Sequence, residues 1–456
     1  MHETITEGVS EAISLTTSWV GFLCLAIFVV GYYFIASEEK YHINKSKPAL
    51  FIGTFMFILI GFYTLLSYTG DTQSVQMLKL NTHVKHLIEE IAEIFFFLFV
   101  AMTYIETLIE RRVFDTLKYK LVSNGYGYRK LFWLTGTLAF FLSPVADNLT
   151  TALILSTVLL TIDRNRKEFL VPGAVNIVVA ANAGGAWSPF GDITTLMAWQ
   201  AGKAPFIDFF FIFPSSIGGW LLTAFLLSRF VPNEKPAFDA TTEPAVHMQV
   251  GARVVIALGI FTIFSAVMCE NLFHIPPMWG MMFGLSLLQL FSFYLKRKRP
   301  NAPFSVFQSI SRIEADTLLF FFGILAAVGA LGYVGYLELV SRGYGIIGST
   351  AANICVGMVS AVVDNVPVMK AIIDADPAMG IDQWLFAALM AGIGGSLISF
   401  GSAAGVGVMG KLRGTYTFMS HMRLAWTIAL GFIFSIAIWY VQFEVLHWYV
   451  LSGGKH

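Results

Sequence analysis

Long runs of apolar residues recur along this chain at intervals that suit membrane-spanning helices. The hydrocarbon core of a bilayer is about 30 Å thick, so a helix needs about 20 mostly apolar residues to cross it. A helix satisfies its own backbone hydrogen bonds, which lipid cannot do. The pattern predicts an all-α polytopic membrane protein with about ten spans, near residues 18–36, 48–68, 88–109, 168–201, 206–228, 251–270, 276–295, 312–333, 383–411 and 422–444.

Two further apolar segments carry polar residues at their centres and are predicted to be re-entrant hairpins. Residues 131–162 contain SPVADNLTT at 143–151, and basic residues stand at both ends. Such a segment enters and leaves by one face, and a polar tip is tolerated at membrane depth only against protein or a cavity. Residues 344–374 contain SAVVDNVP at 360–367 but end in acidic residues, so this hairpin is expected to enter from the opposite face.

Three landmarks recur in the same order and predict an internal duplication. Isoleucine and glutamate precede three phenylalanines at 88–97 and again at 313–322. The two hairpin tips follow, and GGAWSPFGD at 184–192 corresponds to GGSLISFGS at 394–402. Five predicted spans separate the starts of the two units, and an odd number inverts the second unit. The glycines and the proline in the third landmark predict broken helices.

The duplication divides the chain into four predicted regions. N-terminal spans at 1–87 form a scaffold, and repeat 1 occupies 88–230. A linker with connecting spans follows at 231–311, and repeat 2 occupies 312–456. Each repeat has a span, a hairpin, a broken helix and a further span. Inverted-topology repeats with broken helices are typical of secondary transporters whose site lies near the bilayer midplane.

Composition and charge narrow the class of protein further. Of the 456 residues, 13% are charged and 56% are hydrophobic, whereas a soluble domain carries about 25% charged residues. This excludes an ordinary soluble enzyme, a disordered protein and a nucleic-acid binder, and the 29 basic residues balance the 29 acidic ones. The three cysteines lack a CxxC spacing and predict neither a disulfide framework nor a zinc site. No cofactor is expected.

Basic loops predict the orientation in the membrane. Lysine and arginine cluster after the first, third and seventh spans, and short cytoplasmic loops are enriched in these residues. All three clusters fall on one side if the N-terminus is outside. The region 110–130 is predicted to be an interfacial amphipathic segment. The first span follows an acidic stretch rather than the basic one of a signal peptide, so it is expected to remain in the mature protein.

Three carboxylates inside the apolar segments, Asp147, Asp192 and Asp364, are the strongest candidates for a functional site. A charged side chain at the bilayer centre costs about 2.5 to 3.5 kcal/mol, so three are hard to retain without a cation, a proton or a partner. Hard cations such as Na+ prefer oxygen ligands. The other predicted ligands are nearby amides and hydroxyls: Asn148, Thr150, Thr151, Asn182, Ser188, Thr195, Ser360, Asn365, Ser396, Ser399 and Ser402.

Structural roles compete with these ligand roles. Aspartate is well suited to cap a helix N-terminus, and capping is compatible with ion binding at Asp147 and Asp364. For Asp192 the alternative is a wetted loop. Serine and threonine hydroxyls in a broken helix also satisfy free backbone carbonyls. The carboxylates at 89–93 are interpreted as solvated groups at the membrane interface.

Four blocks, at 143–151, 182–192, 363–368 and 394–403, resemble those of the NhaD-type sodium/proton antiporters of the ion transporter superfamily. The resemblance covers about residues 48–445. It implies exchange of Na+ or Li+ for H+ across the bacterial cytoplasmic (inner) membrane, in a homodimer with scaffold and moving transport domains. Related dicarboxylate carriers have tips resembling Ser-Asn-Thr, whereas both tips here have Asp-Asn. This departure argues against an organic anion substrate.

The predicted function is therefore Na+ (or Li+) exchange for H+ by alternating access, with cation and proton competing for the carboxylates, and not enzymatic catalysis. One alternative is a Na+-coupled symporter of a small dicarboxylate or other anion. That function needs a fixed cationic partner, and Lys411 and Arg413 are the nearest basic residues in the second repeat. The other alternative is an intramembrane aspartyl-type enzyme, which would not require an inverted duplication.

Overall fold

A computed structural model describes residues 15–41, 43–123, 125–236, 246–299 and 304–448, and its regular secondary structure is helical throughout these ranges. The helices of eight residues or more are α1 (Trp19–Ala36), α2 (Ser46–Ser67), α3 (Gly70–Glu110), α4 (Val113–Ser123), α5 (Tyr128–Ala146), α6 (Asn148–Ile162), α7 (Lys167–Ala186), α8 (Ile193–Gln200), α9 (Phe213–Leu227), α10 (Ala252–Phe273), α11 (Met278–Lys298), α12 (Ala315–Val334), α13 (Leu337–Ile347), α14 (Ser349–Ser360), α15 (Asn365–Ala375), α16 (Ile381–Gly394), α17 (Ala403–Lys411) and α18 (Ala425–Tyr440). Shorter helical turns are Glu38–Tyr41, Phe206–Ile212, Ser228–Phe230, Val306–Ile310, Phe418–Met422 and Val441–Val445.

The long apolar helices confirm a multi-pass membrane protein. Nine helical segments in the described ranges are long and apolar enough to cross a bilayer. They are α1, α2, α3, α7, Phe206–Phe230, α10, α11, α12 and Ala425–Val445. The tenth predicted span, at 383–411, consists of α16 and α17 with a break between them.

One predicted span belongs to a longer helix, and one predicted hairpin boundary is wrong. The span predicted at 88–109 is the C-terminal part of α3, which has 41 residues. Polar residues at 71–87 hide this extension from an apolar window, although no glycine or proline interrupts the helix after Gly70. The second hairpin is predicted to begin at 344, but α13 continues to Ile347 and is followed by Gly348, which has a φ of +80°. The hairpin therefore begins at Ser349.

The chain forms two compact units. The first contains the described residues of 1–99 with 313–348 and 370–378. In it, α2 packs against both α1 and α12. The buried ammonium of Lys370 lies 2.6 Å from carboxylate oxygens of both Glu90 and Asp374. The Glu90 side chain is 55% exposed, in keeping with the predicted solvated carboxylate, and it also shares the Lys370 ammonium with Asp374.

The second unit contains the described residues of 100–312, 349–369 and 379–456, and so both hairpin tips and both helix breaks. In it, α5 packs against α7, and α14 packs against α16. The helices α7 and α16 also pack against each other. In the apolar window of α7, 94% of the residues are buried, against 28% for α10. The helices that carry the breaks thus lie in the core of this unit.

Candidate functional site

The first hairpin tip is built around Asp147, between α5 and α6. Its backbone has a positive φ of +53°, a conformation that aspartate tolerates better than most residues. The half-buried carboxylate caps α6: it accepts hydrogen bonds of 2.8 Å from the backbone N–H and from the hydroxyl of Thr150. The next residue, Asn148, is buried at the first position of α6.

The second hairpin tip has the same order of residues. Helix α14 ends at Ser360, and α15 begins at Asn365. Between them lies Asp364, half-buried, with one carboxylate oxygen 3.4 Å from the backbone nitrogen of Val366. Asn365 is buried, as is Asn148 in the first tip. Each tip thus places an aspartate at a helix start and a buried amide directly after it.

The first helix break lies between α7 and α8 and ends at Asp192, which is 4% exposed. Asp192 caps α8, because its Oδ1 accepts hydrogen bonds of 3.0 Å from both the N–H and the hydroxyl of Thr194. The Thr195 hydroxyl contacts the backbone carbonyls of Ser188 and Asp192 at 2.8 and 2.7 Å. The Ser188 hydroxyl donates to the Pro144 carbonyl at 3.2 Å. Backbone freed by the break is thus partly satisfied by local hydroxyls.

The second break lies between α16 and α17 and is linked to the first by Asn182 of α7. The amide nitrogen of Asn182 donates to the hydroxyls of Ser396 and Ser402, at 2.8 and 2.9 Å. Ser402 also caps α17, since its hydroxyl accepts the N–H of Gly405 at 3.3 Å. The hydroxyl oxygens of Ser399 here and of Thr151 in α6 are buried and have no hydrogen-bond partner among the described residues.

Both tips and the first break converge on the Asp192 carboxylate. Asn148 donates to its Oδ2 at 2.8 Å, and Asn365 lies 3.0 and 3.2 Å from its two oxygens. Asn148 also donates to the Oδ1 of Asn182 at 3.2 Å. Six predicted site residues therefore form one buried hydrogen-bond network: Asn148, Asn182, Asp192, Asn365, Ser396 and Ser402. Asp147 and Thr150 bond to each other at the first tip and lie outside it.

The remaining predicted residue of the set, Ser360, has a structural contact. Its hydroxyl donates to the Ala391 carbonyl at 2.6 Å, and Ser143 of the first hairpin donates to the Ala181 carbonyl at the same distance. These hydroxyls join each hairpin to its own broken helix. Ser360 therefore performs the alternative role that the sequence left open for hydroxyls.

Sequence reasoning missed two buried residues next to the second break. His421 and Tyr416 lie in the segment between α17 and α18, and the ring of His421 contacts the Ser396 carbonyl. This segment has no apolar periodicity, and the signal that the sequence offers is the histidine itself, a titratable residue between two apolar helices.

The donor set of the site consists of carboxylate, amide and hydroxyl oxygens. Across the described ranges, no group of three or more histidine, cysteine, aspartate or glutamate side chains could hold a metal ion. A transition-metal centre would draw on histidine and cysteine, whereas Na+ and Li+ are hard cations suited to oxygen ligands. These oxygen ligands fit a hard monovalent cation.

Comparison with known proteins agrees with this chemistry. A family model described as a citrate transporter matches residues 32–394. The Na(+)/H(+) antiporter NhaD of Alkalimonas amylolytica is 44% identical over 454 residues, which cover 93% of this chain and 91% of the relative. NhaD of Vibrio cholerae serotype O1 is 42% identical over 453 residues, covering 94% and 93%. Sodium/proton antiporter 1 of Arabidopsis thaliana is 30% identical over 405 residues, covering 84% and 66%.

The fold and these similarities define the class as a polytopic membrane transporter. The matched family model covers well over half of the chain. The chain belongs to this family and, within it, to the NhaD-type Na+/H+ antiporters. The resemblance found in the four sequence blocks is confirmed.

Proposed function

We propose that this protein exchanges Na+ or Li+ for H+ across a membrane, and that one of the two occupies the site around Asp192 at a time. The burial of that carboxylate among neutral partners carries the proposal. It is 4% exposed, and its hydrogen-bond donors are the amides of Asn148 and Asn365 and the groups of Thr194. None of these partners carries a positive charge that would balance the carboxylate.

A buried carboxylate without a basic partner favours binding of a cation or a proton. Removing an unpaired charge from water is costly, and such a group neutralises itself by protonation or pairs with a cation. Both ions use the same carboxylate oxygens, so binding of one displaces the other. Competition at one site, combined with access from alternating sides, yields exchange.

The ligands proposed for the cation are the oxygens that the network brings together. Asp192 supplies the charge, and Asn148, Asn182 and Asn365 supply amide oxygens. Thr151 and Ser399 have buried hydroxyl oxygens without hydrogen-bond partners in the described ranges, which suits a ligand role. The half-buried Asp147 and Asp364 are proposed as further cation or proton sites. Hydroxyls of Thr150, Ser188, Thr195, Ser396 and Ser402 position these groups or complete the shell.

The relatives support exchange over symport. Three relatives are named as sodium/proton antiporters and one matched model as a citrate transporter. A carboxylate substrate would need a fixed cation at the site, but Lys411 and Arg413 are exposed at the end of α17. The buried Lys370 is already paired with two carboxylates in the other unit. An intramembrane enzyme is not favoured, because the relatives are named as antiporters and transporters.

The wider arrangement follows the resemblance. We propose a bacterial inner-membrane location with the N-terminus outside, two inverted repeats at 88–230 and 312–456, a scaffold at 1–87 and connecting spans at 231–311. A homodimer is predicted in the same way. The close pairing of Ser143 with Ala181 and of Ser360 with Ala391 supports equivalence of the repeats.

Proteoliposomes containing a pH-sensitive dye test the function directly. Pulses of Na+ and Li+ should move protons, and pulses of K+, succinate or citrate should not. Asp192→Asn keeps the shape but removes the titratable charge, so it should abolish the response. Asp71→Asn, at the exposed start of α3, is the matched control and should respond like wild type. A citrate-driven response would favour the symporter instead.

Competition predicts a specific pH dependence. The Na+ concentration for half-maximal exchange should rise as the pH falls across about pH 9.5 to 6.5, because each protonated carboxylate must lose its proton before Na+ binds. Ser402→Ala should weaken affinity without changing this dependence, since a hydroxyl does not titrate in this range. An affinity that stays flat across the range would refute a shared site for proton and cation.

A further inference from the structure

We propose that His421 is a positioning residue for the cation site: its neutral ring holds the second helix break in place through the Ser396 carbonyl, and Tyr416 fixes the ring tautomer. The proposal rests on the function proposed above and adds a residue outside the Asp192 network. His421 lies in the helical turn Phe418–Met422, far along the chain from the hairpins. It is not placed among the cation ligands.

The surroundings of the ring determine where its proton lies. His421 is 0% exposed, its Nε2 lies 3.0 Å from the Ser396 carbonyl oxygen, and its Nδ1 lies 2.6 Å from the Tyr416 hydroxyl oxygen. A carbonyl oxygen can only accept, so Nε2 carries the hydrogen and donates. In a neutral ring Nδ1 then accepts, and the Tyr416 hydroxyl is its donor.

In this arrangement the neutral ring is the form in which both ring nitrogens and the Tyr416 hydroxyl have hydrogen-bond partners. Tyr416 is 1% exposed, so its hydroxyl hydrogen has no access to bulk water. Protonation of Nδ1 would turn that nitrogen into a donor and leave the tyrosine hydrogen without this acceptor. Burying a polar group without a hydrogen-bond partner is unfavourable. His421 therefore acts as a fixed hydrogen-bond donor and not as a carrier of the exchanged proton.

Ser396 connects this donor to the site. Its carbonyl accepts from His421, while its hydroxyl accepts from Asn182 at 2.8 Å. Asn182 in turn accepts from Asn148, which donates to Asp192. Four hydrogen bonds thus connect the imidazole with the central carboxylate. A backbone carbonyl at a helix break needs a donor when it is buried, and His421 supplies one that also fixes the hydroxyl position.

Two substitutions separate the two nitrogens of the ring. The amide nitrogen of His421→Gln reaches about the position of Nε2 and can still donate to Ser396. The shorter side chain of His421→Asn reaches only about the position of Nδ1 and loses that bond. Tyr416→Phe keeps the ring volume and removes the donor that fixes the tautomer. His274→Asn, at an exposed residue, is the matched control.

Exchange kinetics in proteoliposomes give the test. His421→Asn should raise the Na+ concentration for half-maximal exchange about tenfold, the loss of roughly one buried hydrogen bond. His421→Gln should stay within about threefold of wild type, and Tyr416→Phe should fall between them. Maximal rate and pH dependence should be unchanged in all three, since the ring does not exchange protons. His274→Asn should behave as wild type.

Several outcomes would overturn the assignment. Equal Na+ affinity in His421→Asn and His421→Gln would show that donation to Ser396 does not matter, and a changed pH dependence would make His421 a proton carrier. If His421→Asn does not fold, wild-type affinity in Tyr416→Phe overturns it equally. Wild-type liposomes without Na+-driven proton movement would refute the proposed function itself. Active wild type, inactive Asp192→Asn and unaffected His421 variants would refute the positioning role alone.

Discussion

Gly184 and Gly394 allow each broken helix to touch its hairpin, and adding one methyl group at either position should separate them. An alanine Cβ at Gly184 would come within 3.0 Å of the Phe140 carbonyl oxygen, and at Gly394 within 3.0 Å of the Gly357 carbonyl oxygen. Ordinary contact begins at 3.4 Å, so the helices have to move apart locally to accept the methyl group. The obstacle is backbone, which cannot rotate out of the way.

The expected cost follows from these contacts. Overpacking costs about 1 to 3 kcal/mol, and a backbone obstacle places these sites near the upper end. Alanine regains about 0.5 to 1 kcal/mol of helix stability over glycine. Gly184→Ala and Gly394→Ala should therefore each destabilise the protein by about 2 kcal/mol. The shift also moves the break away from the hairpin tip, so exchange activity should fall.

Gly392, which lies on α16 two residues before Gly394, provides the matched control. The nearest atom to a Cβ added at Gly392 would be the Cβ of Ala186, at 3.5 Å, which is an ordinary contact. Gly392→Ala should thus keep or raise the thermal stability. Thermal unfolding of the purified variants in one detergent, with exchange assays in liposomes, measures the difference. Equal thermal stability of all three variants would show that Gly184 and Gly394 are not needed for close packing.

Three further predictions address topology, pH and the buried lysine. In a cysteine-free background, Asn165→Cys and Ala375→Cys should react with an impermeant thiol reagent from opposite faces; labelling from one face would contradict inverted repeats. The Tyr128 hydrogen bond lowers the pKa of Asp163, in the loop after α6. This hydrogen bond stabilises the fold at pH values above the ordinary carboxyl pKa, where Asp163 is charged. Tyr128→Phe should therefore lower the melting temperature near neutral pH, and the difference from wild type should shrink below about pH 4. Lys370→Met leaves two carboxylates without their shared cation and should destabilise the protein by about 3 kcal/mol, whereas an unchanged melting temperature would show that the pair contributes nothing.

Most elements of the site could be located from the sequence, because a charged residue in an apolar segment and a proline or several glycines in a helix are each unfavourable. Asp147, Asp192 and Asp364 interrupt apolar runs, and glycines and a proline mark the first break. The structure places all three aspartates at helix starts. Hydroxyls carry a weaker signal, since a serine in a helix satisfies a carbonyl as readily as it binds an ion. Ser360 illustrates this ambiguity through its bond to the Ala391 carbonyl.

Other features could not be predicted because they depend on distant partners. Glu90 is 280 residues from Lys370, and its ion pair is invisible to a local reading of a glutamate in an apolar helix. His421 lies 25 residues after Ser396 in a segment without periodicity. In both cases the sequence shows a charged or titratable side chain, but the packing of distant segments decides which partner it contacts.

The sequence by itself determined the helices, their breaks and the polar atoms that lie within apolar segments, because these depend on neighbouring residues and on the cost of burying charge. Tertiary structure alone decided that Asn148 and Asn365, 44 and 173 residues from Asp192, donate to one carboxylate. Hydrogen bonds form over about 3 Å with restricted angles. Packing of α7 against α16 and of each hairpin against its broken helix sets distances on that scale.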